Sequence, residues 1–171
     1  MITYEQLLAK DIGWALEEGS MHFEGGSRVH QALARITSRL DELGIAYAVA
    51  DGMALFAHGY RRFTEDVDIL VTDDGLQTIH RELEGLGWVP PFAGSKNLRD
   101  AENGVRIEFL VAGRFPGDGK PKAVAFPDPT EVGVDIGGIR YVSLPRLIEL
   151  KLASGSAAGR RRDLGDVQEL I

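Results

Sequence analysis

The residues with the clearest chemical potential lie in Arg62-Phe63-Thr64-Glu65-Asp66-Val67-Asp68-Ile69-Leu70-Val71. Side chains alternate along a strand, so Asp66, Asp68 and Leu70 fall on one side and Val67, Ile69 and Val71 on the other. Two carboxylates side by side repel one another unless a cation or donor lies between them. The pair is therefore suited to a hard divalent ion, magnesium first. Alone, Asp-x-Asp is also the pattern of two solvated acids at a strand end. Arg106-Ile107-Glu108-Phe109-Leu110 repeats the alternation, with Val105, Ile107, Phe109 and Val111 apolar and Glu108 facing the other way. If the two strands are neighbours, about 4.8 Å apart, Glu108 joins Asp66 and Asp68 in a set of three carboxylates. Its bland counterpart is an exposed strand acid.

These acids need elements to position them. Residues 45–50 form an apolar run that reads as a buried strand, Asp51-Gly52 as a turn, and residues 53–58 as a short helix closed by Gly59. Gly52 thus places bare backbone near a helix N-terminus, where unpaired N–H groups favour a phosphate, although one glycine in a turn is weak evidence. Before this unit, residues 3–18 carry scattered apolar positions that predict a first helix. Ser27 then caps a second, in which Val29, Leu33, Ile36, Leu40 and Leu43 recur at helical spacing up to Gly44. After the Asp66 strand, a helix is expected over 74–86 with Leu76, Ile79, Leu83 and Leu86 inward, then a strand at Trp88-Val89. Asn103-Gly104 signals an antiparallel hairpin between 98–101 and 105–111. Residues 113–129, rich in Gly and Pro, predict an exposed loop. A hairpin turns at Gly137-Gly138, Ser143-Leu144-Pro145 opens a helix through Leu152, and 162–171 reads as a last helix.

The chain has 171 residues, 44% hydrophobic and 26% charged, which predicts one compact domain, 1–171, with 143–171 as its C-terminal helical segment. A net charge of −7 argues against broad DNA or RNA backbone binding, and the absence of cysteine excludes disulfides, thiolate metal sites and a cysteine nucleophile. Lys10 and Asp11 interrupt the N-terminal apolar positions too early for a secretory core. No run approaches the roughly 20 apolar residues of a membrane span, so a cytoplasmic protein is expected. His22, His30 and His80 show no ligand spacing, His58 reads as a packing or capping residue, and Trp14 and Trp88 as core or rim.

The ordered set Gly52, Ala54, Leu55, His58, Gly59, Arg62, Thr64, Asp66 and Asp68 resembles the Pol β-like nucleotidyltransferase superfamily. It is most similar to small bacterial AbiEii-like proteins, with their Gly-Gly-x-Ala-Leu, His-Gly, Arg-x-Thr and Asp-x-Asp segments. Leu147 to Leu152, with Lys151, and Arg160-Arg161-Arg162-Asp163-Leu164-Gly165-Asp166 look like the Leu-x-x-Lys and Arg-x-Asp-x-x-Asp segments of those relatives. The resemblance implies an α+β fold, a nucleotidyltransferase-type mixed β-sheet flanked by helices with a short C-terminal helical segment. It implies two Mg2+ ions on Asp66, Asp68 and Glu108, with the phosphates of a nucleoside triphosphate near Gly52, Arg62, Thr64 and Lys151. It implies transfer of the nucleotidyl group to a hydroxyl of RNA, protein or a small molecule. Arg62 and Thr64 could equally serve packing and strand entry, and Lys151 and Asp163 helix ends.

Two departures stand out: Asp51 replaces the first glycine of the family's pair, and the third carboxylate is Glu108 rather than Asp. An acid at 51 would repel a triphosphate unless turned away. A catalytically silent nucleotide- or partner-binding protein, such as one half of a toxin–antitoxin pair, is therefore the first rival reading. A metal-dependent phosphohydrolase built on the same acids is the second.

Overall fold

The computed structural model describes residues 1–155 and 161–171; Arg160 and the side chain of Arg161 lie outside the described residues. The chain forms a seven-stranded mixed sheet in the order β3-β4-β5-β2-β1-β7-β6, with helices packed on it. At its centre are β1 (Ala48–Ala50), β2 (Asp66–Val71) and β5 (Arg106–Val111). Strand β2 runs antiparallel to β1, pairing Ala50 with Asp68, and parallel to β5, pairing Asp66 with Arg106 and Asp68 with Glu108. The predicted neighbours are thus paired in register.

On one side of this centre, β4 (Leu98–Asp100) is antiparallel to β5, as the Asn103-Gly104 turn predicts, and also to β3 (Trp88–Val89). On the other, β7 (Ile139–Val142) is parallel to β1 and forms the expected hairpin with β6 (Gly133–Ile136). The alternation of β2 suggested one core face, yet every residue from Val67 to Val71 is buried and only Asp66 is partly open. A strand inside a mixed sheet covered by helices has no solvent face, so Leu70 is buried beside the acids.

The single helix expected over 3–18 is two helices, α1 (Tyr4–Lys10) and α2 (Ile12–Phe23). Asp11 causes the break: its backbone is extended (φ −131°, ψ 103°) and its carboxylate accepts from the Trp14 N–H as the cap of α2. Helix α3 (Arg28–Glu42) follows the predicted periodicity, burying Val29, Leu33, Ile36 and Leu40, with Ser27 capping the His30 N–H. Helix α4 (Asp51–Ala57) starts two residues earlier than expected, so Asp51-Gly52 is its first turn.

Helix α5 (Asp73–Leu83), capped by Thr72, stops before Leu86, which is 68% exposed instead of inward. Gly85 (φ +79°) and Gly87 (φ +105°) turn the chain into β3 and leave Leu86 at the tip between them. The Gly- and Pro-rich stretch carries no regular structure until α6 (Pro129–Val132). It is less exposed than predicted, because Val124 and Phe126 pack on the core and Phe126 exchanges backbone hydrogen bonds with Gly113 and Arg114. Helices α7 (Leu144–Gly155) and α8 (Arg161–Leu170) close the fold, approaching so tightly that a Cβ on Gly155 would meet Leu164 at 2.6 Å.

Candidate active site

The parallel register of β2 and β5 brings Asp66, Asp68 and Glu108 together: one carboxylate oxygen from each lies within 4.8 Å of the others. They line a cavity of about 930 Å³, within the usual size for a small-molecule site. The same cavity is bordered by Gly52 and Thr64, by the 113–119 segment, and by Lys151 and Asp163 of the last two helices.

The three acids differ in setting. Asp68 is buried (5% exposed), and burial drives its carboxyl well above the usual range, helped by the charges of Asp51, Asp66 and Glu108 and a hydrogen bond with Glu108. For Asp66, burial and then Glu108 raise the pKa, and Arg106 only partly offsets them. Asp66 accepts from Thr64 Oγ1 (3.3 Å) on one oxygen and from an Arg106 terminal nitrogen (3.2 Å) on the other. The same guanidinium lies 3.0 Å from Glu108 Oε1. The donor set is all oxygen, crowded and short of positive charge, which is what a hard divalent cation fits.

Gly52 is required by packing: a Cβ there would meet Thr64 Oγ1 at 2.8 Å and Thr64 Cβ at 2.9 Å. The glycine lets the start of α4 close on the residue that orients Asp66. Asp51, beside it, is the one non-glycine residue with positive φ (+49°) among those described, a conformation short polar side chains tolerate. The backbone at 51 is thus glycine-like although the residue is not.

The charge of Asp51 is answered within the chain. Lys151 Nζ lies 2.7 Å from Asp51, 3.0 Å from Asp163 and 2.8 Å from Asp166. Arg62 binds Asp166 at 3.0 Å and approaches Asp51 at 3.7 Å, and Ser154 donates to Asp163 at 2.6 Å. Burial opposes the Lys151 charge, but Asp51 and then Asp166 and Asp163 outweigh it and push the pKa up to about 12. Asp51, Asp163 and Asp166 also have oxygens within 4.8 Å of one another, but the Lys151 ammonium already sits among them. Arg62, Lys151 and Asp51 form one ion network that ties α4 to α7 and α8.

Of the residues expected from sequence, Asp66, Asp68, Glu108, Gly52, Arg62, Thr64 and Lys151 all border this cavity. Sequence reasoning missed Arg106, although the period-two rule that places Glu108 places Arg106 on the same side. It also missed the cavity-lining cations Lys96 and Arg114, for which no local pattern gave a signal. His58 does tie its helix down, through Nε2 to the Val142 carbonyl at 2.8 Å. His22 and His30, unremarkable by spacing, share Ser27 Oγ at 3.0 and 2.9 Å, and His22 Nε2 holds the Arg62 carbonyl at 3.1 Å.

No family model matches the chain, and no curated protein matches it. Solved structures do. A Thermotoga maritima protein assigned as a nucleotidyltransferase superposes with a TM-score of 0.54 at 18% identity, over 81% of this chain and 89% of that one. ANT(2″)-Ia, solved in complex with adenylyl-2″-tobramycin, gives 0.54 at 12% identity, over 82% and 86%. The fold is the nucleotidyltransferase type, a mixed sheet flanked by helices; at these identities the likeness extends to the fold alone.

Proposed function

We propose that this chain is a metal-dependent nucleotidyltransferase that moves a nucleoside monophosphate from a nucleoside triphosphate to a hydroxyl group of an RNA, protein or small-molecule acceptor. The observation that carries the reading is the convergence of Asp66, Asp68 and Glu108 on the wall of a cavity large enough for a triphosphate. Asp66, Asp68 and Glu108 would hold Mg2+, two ions in the full complex, supplying neutralisation of the phosphates and activation of the attacking hydroxyl. Thr64 fixes the rotamer of Asp66. Glu108, the most exposed of the three at 30%, is placed to accept the acceptor's proton as its oxygen bonds to the α-phosphorus and pyrophosphate leaves. Gly52, Arg62, Thr64 and Lys151 form the wall along which the phosphates would lie. With Lys151 2.7 Å and Arg62 3.7 Å away, Asp51 repels an anion less than an isolated acid would, although two cations there face three carboxylates.

The ordered Gly52-to-Asp68 motif supports an AbiEii-like placement within this fold, and the likeness to ANT(2″)-Ia supports keeping small molecules among the acceptors. One observation favours a second reading: Arg106 already supplies a cation between Asp66 and Glu108, as expected in a silent member that binds a nucleotide or a cognate toxin or antitoxin. The test is incubation with each of the four common α-labelled triphosphates and Mg2+, with RNA, the protein itself and an aminoglycoside as acceptors. Label transfer with pyrophosphate release, abolished in Asp68→Asn, is the expected result. Calorimetric nucleotide binding without transfer would favour the silent reading, and release of inorganic phosphate would favour a phosphohydrolase.

A further inference from the structure

We propose that Arg106 is a built-in counter-cation of the acidic site, which competes with the divalent ion for Asp66 and Glu108 and, once displaced, serves as a phosphate contact for the nucleotide. The inference rests on the reading of Asp66, Asp68 and Glu108 as metal ligands.

Register is the first support. Arg106 pairs with Asp66 and Glu108 with Asp68 across the parallel strands, so the guanidinium arises on the acid side of the sheet, one pleat from the third carboxylate. One terminal nitrogen spans the strands, 3.2 Å from Asp66 Oδ2 and 3.0 Å from Glu108 Oε1. It therefore uses oxygens from two of the three ligands. Asp68 is left without a direct cation among the described residues. A guanidinium stays protonated throughout the accessible range, so it cannot vacate the acids by losing charge and must move.

The side chain has room to do so. It is 41% exposed and borders the cavity, and its Nε is buried without a hydrogen-bond partner among the described residues, so the inward pose leaves one donor unsatisfied. Turned outward, the same donors face the space where phosphates would lie, and planar guanidinium matches phosphate oxygens well. Arg106 would then weaken metal binding while strengthening binding of the anion that follows it.

These opposite signs define the experiment. Mn2+ is titrated into wild-type protein, Arg106→Gln and Arg106→Lys with free ion followed by electron paramagnetic resonance, and tripolyphosphate binding is then measured at saturating Mn2+. In Arg106→Gln the Mn2+ Kd is expected to fall about fivefold and the tripolyphosphate Kd to rise by a similar factor, the upper end for one partly exposed charge pair. Arg106→Lys keeps the charge but not the planar fork, so its Mn2+ Kd should stay within about twofold of wild type while its tripolyphosphate Kd lies between those of wild type and Arg106→Gln, and circular dichroism melts establish that each variant is folded. An unchanged or raised Mn2+ Kd in folded Arg106→Gln overturns the inference alone. Absence of Mn2+ binding in wild type and in folded Arg106→Gln alike overturns the metal reading and the inference with it.

Discussion

At the scale of residues, the least expected arrangement is the ammonium of Lys151 among Asp51, Asp163 and Asp166. A buried charge loses far more when its partner is deleted than the pair contributes when intact. Lys151→Met should therefore destabilise the fold by roughly 3–5 kcal/mol at neutral pH, read as a lowered urea midpoint. Adding Asp51→Gly, which suits the left-handed backbone at 51 and removes one orphaned acid, should recover part of the loss; a double variant no more stable than Lys151→Met would contradict this account. Asp66, Asp68 and Glu108 were legible in the sequence because strand periodicity assigns sides locally. The answer to Asp51 was not, because its partner lies 100 residues away and leaves no periodic trace.

Among the elements, the boundaries that sequence reasoning misplaced were set by caps and turns. Hydrophobic spacing predicted α3 and β5 because each buries one repeating set of side chains, the Gly137-Gly138 turn signalled the β6–β7 hairpin, and β2 was found by its alternation although both its faces are covered. It merged α1 with α2 because the scattered apolar positions over 3–18 give no sign that the Asp11 side chain caps the second helix. Asp11→Ala should cost about 1 kcal/mol of stability through loss of that cap. The loss should appear in urea denaturation, while Asp11→Ser, another good cap, should lie close to wild type. Equal effects of the two substitutions would show that the acid acts through something other than capping. Leu86 was drawn inward by its spacing from Leu83, but a glycine on each side, both with positive φ, had already ended the helix.

Across the whole molecule, the sheet order β3-β4-β5-β2-β1-β7-β6 joins strands far apart in the chain, so local pattern could suggest that β2 and β5 are neighbours without fixing the rest. The packed α2–α3 corner gives global stability a pH dependence. Burial, with a smaller contribution from His22, lowers the His30 imidazole to about 4, and burial also lowers His22. The unfolded chain takes up these protons as pH drops through about 6.5, whereas folded His30 resists until about 4. Stability is therefore complete above the first value and declines through the window between them. Between about pH 7.5 and about pH 5 the loss should be roughly 1–2 kcal/mol, allowing for the partial exposure of His30. Urea midpoints at the two values measure it, and His30→Gln should flatten the slope; an equally steep slope in that variant would place the effect elsewhere. The remoteness of Lys151 from Asp51 also sets an order of events during synthesis. A ribosome adding roughly 5–20 residues per second reaches Lys151 roughly 5–20 s after Asp51. Asp66, Asp68 and Glu108 are all made within that interval, before the lysine that answers Asp51, and the ion network is completed only when Asp163 and Asp166 of α8 follow.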